Sequence, residues 1–185
     1  MEPVDTMAPI QAVLVSSPDE DLVASLTATL RDQWPVRTAT TVQETETSLD
    51  ESVTVVIFDP AFESLSVADL TAIVETSSPD AQLLQYGTSV NPTAETADAV
   101  LEQVAETETI RSTVDRLQRR VRYAKLLSRF YALARSRSER DTAVETEEPS
   151  TELAELKREL DELAAELDDE DIFDVALGQN NEDRR

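Results

Sequence analysis

VTVVIFD, residues 53–59, is the stretch on which the fold of this chain turns. Five of its first six residues are β-branched or aromatic hydrophobes, with no polar alternation, and an aspartate closes the run. That pattern predicts a strand covered on both faces, as in a parallel sheet flanked by helices. The acid then falls at the carboxyl end of the strand, where such sheets bind their ligands.

Working outward, residues 10–16 (IQAVLVS) form a second short apolar run that ends in Ser-Ser-Pro. Asp19, Glu20 and Asp21 follow at a helix start, with Leu22, Val23, Leu26 and Leu30 on its inner face. A strand at 36–40, a polar helix at 42–49, a helix at 65–76, a strand at 81–86 (AQLLQY) and a weaker one at 97–104 (ADAVLEQV) complete the series. Strand and helix alternate about five times, which predicts an α/β fold: a doubly wound five-stranded parallel sheet.

Residues 93–148 contain neither glycine nor proline, so nothing local stops the last helix of the sheet domain. One helix is expected from about 106 to 140, a rod of roughly 50 Å. Its charge is opposite to the rest of the chain. Residues 111–140 carry ten cations against Asp115 and Glu139, a net +8, whereas the whole chain is −23. A polar linker, 141–150, leads to Leu153, Leu156, Leu160, Leu163 and Leu167, a leucine heptad seam. This segment is long enough to fold back on Val121, Leu127 and Phe130 as an antiparallel hairpin. Asp168 to Asp171 should fray its carboxyl end. The resulting division is a disordered leader at 1–9, a sheet domain at 10–118, a helical hairpin at 119–170 and a disordered acidic tail at 171–185.

Composition narrows the chemistry. Cysteine and histidine are absent, which excludes disulfides, thiolate or imidazole metal sites and the usual imidazole acid/base. No apolar run is long enough to span a membrane and no signal-like segment opens the chain, so a cytoplasmic protein is expected. Acidic residues number 39, while Lys125 and Lys157 are the only lysines. This acid-rich, lysine-poor balance resembles the proteins of extreme halophiles.

VLVSSPDEDL (13–22), VVIFDPAFESLS (55–66) and RSTVDRLQRR (111–120) are similar in order and spacing to the receiver domains of two-component response regulators. RYAKLLSRFYALARSRSERDTA (122–143), with the leucine-spaced helix behind it, resembles the HalX domain that haloarchaea append to such receivers. The resemblance implies a receiver, flavodoxin-like, fold, Asp59 as phosphoacceptor equivalent and Thr88, or else Ser89, as the hydroxyl that senses phosphate. It also implies an acidic pair for Mg²⁺ after the first strand, but Ser17 and Pro18 stand there, with Asp19 and Glu20 displaced to the helix start as weak metal candidates. Gln103 and Val104 stand where a lysine and a proline should follow the fifth strand. Such a set points to a degenerate receiver with no cofactor. Asp59 then reads equally as an aspartate closing a strand-to-turn junction.

For the basic helix three readings compete. Arg119, Arg120, Arg122 and Arg129 suit nucleic-acid phosphates, yet no reading head follows. The same arginines suit the acids of residues 145–174, which carry a net −12; this internal pairing is favoured. Surplus apolar positions at Leu126, Leu127, Phe130, Tyr131 and Leu133 suit a homodimer through the long helix. The sequence thus reads as a non-enzymatic regulator of signalling or transcription acting through a protein partner. The alternatives are a working phosphoacceptor regulator using Asp59 and Mg²⁺, or a DNA-binding regulator using residues 111–140.

Overall fold

The structure, a computed structural model, describes residues 11–62, 65–87, 97–140 and 151–182. The leader, Thr88, Ser89 and the linker at 141–150 lie outside these. The chain divides into two compact units, Met1–Gln118 and Arg119–Arg185.

In the first unit, β1 (Ala12–Ser16), β2 (Val36–Ala39), β3 (Val53–Phe58), β4 (Gln82–Tyr86) and β5 (Ala99–Leu101) form one parallel sheet in the order β2-β1-β3-β4-β5. Every residue of β1 and β3 is buried, as their unbroken apolar runs require. Helix α1 (Glu20–Leu30) and the first part of α4 (Thr107–Arg140) cover one face. There Val13, Val15, Val55, Ile57 and Leu84 meet Leu26, Leu30, Ile110, Val114 and Leu117. Helix α3 (Val67–Ser77) packs on the other face, where Leu14, Val56, Phe58 and Leu83 meet Leu70 and Val74. The short α2 (Val42–Ser48) lies beside β2 and β1, with its Thr45 buried.

Local chemistry sets the ends. The Asp19 carboxylate accepts from the N–H groups of Asp21 and Leu22 and so caps α1. Ser66 and Asp69 form a reciprocal capping box that starts α3. One irregularity interrupts the sheet: β1 and β3 shift register between Ala12 and Val13, leaving Thr54 unmatched. Its hydroxyl donates to Gln118 Oε1 at 2.6 Å. β5 is shorter than the sequence suggests, because the residues after Leu101 are exposed, Val104 at 83%.

The second unit contains the remainder of α4, α5 (Thr151–Ala164) and α6 (Asp169–Glu182). Two ion pairs, with a third just past the end of α5, fix how α4 and α5 run. Arg119 meets Glu166 at 3.6 Å, Arg122 meets Glu159, and Arg129 meets Glu152 at 2.6 Å. As the number rises on one helix it falls on the other, so the two are antiparallel. Leu156, Leu160, Leu163 and Leu167 are buried, and Leu153 is half-buried. On α4 Val121 is buried and Leu127 and Phe130 half-buried.

Two expectations fail here. Helix α5 closes at Ala164, where Glu166 N–H bonds the Leu163 carbonyl in a tightened last turn, so Leu167 is buried from a turn rather than a helix. Asp168 to Asp171 therefore do not fray a helix end. The Asp168 carboxylate accepts the Asp171 N–H at 2.8 Å and opens α6, whose first turn is acidic. Acids are favoured at the positive end of a helix, so the segment expected to be a disordered tail is helical to Glu182.

Candidate functional site

The order β2-β1-β3 reverses direction between β1 and β3, and the carboxyl ends of these strands form the sheet's switch point. Ser17 follows β1 and Asp59 follows β3. Asp59 is held in place by its own N–H, which donates to the Ser16 carbonyl at 3.0 Å. Its side chain is buried, and both oxygens are engaged: Oδ2 accepts the Ser17 hydroxyl at 2.6 Å and Oδ1 accepts the Ala61 N–H at 2.9 Å. The second bond is an Asx-type turn that closes the strand end.

Ser17 is equally committed. Its oxygen accepts the Asp19 N–H at 3.0 Å while its proton goes to Asp59, so one hydroxyl joins the end of β1, the start of α1 and the buried acid. Beside it, Ser16 bonds Thr45 at 2.7 Å; because Thr45 donates to the Thr41 carbonyl, Ser16 is the donor.

Gln103 stands on the far rim. Its side chain lies against Gly87, where an added Cβ would sit 3.3 Å from Nε2, and its carbonyl accepts the Tyr86 hydroxyl at 3.0 Å. Burial pushes the Tyr86 phenol above its ordinary range. Gly87 adopts φ 120°, a backbone region open to glycine at little cost. Val104 is exposed and contributes nothing to the site.

A divalent cation does not fit this donor set. Mg²⁺ favours hard anionic oxygens in octahedral array, and here one buried carboxylate faces a neutral serine. Asp19, a weak metal candidate from the sequence, spends its carboxylate on the α1 cap. Glu20 is exposed in the first turn of that helix. Among the described residues no cluster of three acids could hold a metal, and Asp59 has no ion pair. Thr88, which the sequence brings into the same site, lies outside the described residues.

The four arginines singled out in the sequence all have acidic partners. Arg119, Arg122 and Arg129 meet Glu166, Glu159 and Glu152. Arg120 is buried and meets Asp171 at 3.1 Å and Asp174 at 3.8 Å, both on α6. Sequence reasoning assigned all four the same role, and the structure separates Arg120 from the rest.

This architecture defines the first unit as a CheY-like receiver fold. Among solved structures, the response regulator receiver domain protein from Clostridium thermocellum matches with a TM-score of 0.54 at 19% identity, over 63% of this chain and 98% of that one. A CheY-like receiver domain protein from Methanospirillum hungatei JF-1 matches with a TM-score of 0.54 at 13% identity, over 59% and 94%. A structure described as adenylate cyclase from Rhodopirellula baltica matches with a TM-score of 0.52 at 15% identity, over 72% and 98%. No protein-family model and no curated protein matches the sequence. Among the described residues, no helix is long and apolar enough to cross a membrane.

Proposed function

We propose that this chain is a non-enzymatic regulatory protein of signal transduction or transcription control, in which a degenerate receiver unit docks a partner protein without being phosphorylated. The observation that carries this reading is the closed state of Asp59. Phosphoryl transfer to a carboxylate relies on a metal and a cation to stabilise the charge that develops on the phosphate oxygens. Among the described residues no cation pairs with Asp59 and no cluster of acids offers a metal site, and both its oxygens already hold protein donors. The resemblance of the second unit to HalX domains, together with the acid-rich, lysine-poor composition, supports a haloarchaeal cytoplasmic setting.

Incubation with Mg²⁺ and a small phosphodonor tests the proposal directly. No label should be incorporated, and beryllofluoride should leave the amide spectrum unchanged. Labelling that Asp59→Asn abolishes would favour a working phosphoacceptor instead. The DNA-binding reading is weaker, because phosphate contacts from Arg122 or Arg129 would have to displace Glu159 or Glu152. A pull-down from lysate in native salt would identify the partner.

A further inference from the structure

Helices α5 and α6 belong to the same unit but are held by different physics. Helix α5 brings three buried leucines, Leu156, Leu160 and Leu163, with Leu167 just beyond. Among the described side chains of α6, Val175 is the one buried hydrophobe, and the largest, Phe173, is 62% exposed. Area removed from water sets most of the strength of helix docking, and the described side chains of α6 offer little of it beyond Val175 and the half-buried Ile172. What it has is Asp171, whose side chain is 3% exposed against an Arg120 side chain at 10%.

We propose that the Arg120 and Asp171 pair is a clasp that docks α6 on α4, making α6 the separately releasable element of the helical unit. A buried ion pair adds little net stability, but removing Asp171 leaves the buried Arg120 only its longer 3.8 Å contact to the exposed Asp174. Among the described residues Arg120 Nε is buried with no hydrogen-bond partner, so this guanidinium depends on its contacts to α6. Burial also shields it from salt. The Arg129 and Glu152 side chains are 62% and 51% exposed, and concentrated salt screens such a pair. The Arg120 and Asp171 contact lies beyond that screening, unlike the contact to the exposed Asp174, so salt loosens the pairs along α5, which its leucines hold regardless, and leaves α6 fastened by Asp171.

Hydrogen exchange on the full chain tests this. Asp171→Asn should raise exchange of the α6 amides at least about tenfold while α5 keeps its protection. Asp169→Asn removes the same charge from the same helical turn, where Asp169 is exposed, and should leave α6 near wild type. The paired change Arg120→Met with Asp171→Leu should restore protection. Wild-type α6 should exchange alike in dilute and molar KCl. The proposal is overturned if Asp171→Asn leaves α6 unchanged or opens α5 with it, or if Asp169→Asn acts as strongly. Failure of the paired change to restore protection, or salt-dependent exchange of wild-type α6, would overturn it too.

Discussion

Ser17 and Asp59, 42 positions apart in the chain, are joined by a 2.6 Å hydrogen bond in which a neutral hydroxyl faces a buried acid. Replacing Ser17 by alanine leaves Asp59 Oδ2 without its donor, and a bond to a charged group is worth about 1.5–3 kcal/mol. Thermal or denaturant unfolding of Ser17→Ala should show a loss of that size. Ser17→Asp, which sets two carboxylates together, should destabilise the unit further at neutral pH and respond to added Mg²⁺, whereas the wild type should not.

Gly87 carries a φ that side chains disfavour, and a Cβ there would meet Gln103 at 3.3 Å and Pro60 at 3.5 Å. The Gln103 amide can yield; the backbone strain cannot. Gly87→Ala should cost about 1–3 kcal/mol in denaturant unfolding, with amide shifts concentrated around Gln103 and Pro60.

Acid should weaken the first unit in a defined window. Asp50 is lowered from 3.8 to about 2, first by hydrogen bonds from Ser52 and then by Arg37. Glu44 is lowered by its bonds from Thr40, and Asp69 by those from Ser66. Each binds protons less readily folded than unfolded. Their stabilisation is therefore present above the ordinary carboxylate range and disappears as pH falls toward about 2. Melting temperature should decline across that interval, and Ser52→Ala should move the Asp50 midpoint, followed by NMR, upward toward 3.8.

Leucine and arginine changes in the second unit should separate packing from charge. Leu160 is buried in α5, and truncation to alanine should cost about 2–5 kcal/mol at any salt concentration. Arg129→Ala removes an exposed pair and should cost under ~1 kcal/mol, approaching nothing in molar KCl. Unfolding of each variant at low and high KCl checks both outcomes.

The sheet was legible because β1 and β3 announce themselves as unbroken apolar runs, and α1 because Asp19 sits at its cap. The Ser17 and Asp59 contact was not legible: it joins two strand ends, and a serine after a strand carries no local sign of what it meets. Helix α6 was missed for a different reason. The leucine spacing runs on to Leu167 without glycine or proline, and hides a helix stop at Ala164. The available signal was Asp168 followed three residues later by Asp171 ahead of IFDVAL, an N-cap pattern that read as a charge run. Among the four arginines, nothing local distinguishes Arg120 from Arg119, since burial depends on where α6 arrives.

Thr54, the unmatched residue of β3, changes what the strand can tolerate. Strand side chains alternate with period two, yet Val53 and Val56 share the α3 face of the sheet while Val55 and Ile57 point to the α1 face. The extra residue is a phase correction that lets a single strand serve two cores in different frames. Deleting Thr54 would restore plain alternation with Val53 still on the α3 face, and would cost the strand its bulge and the bond to Gln118.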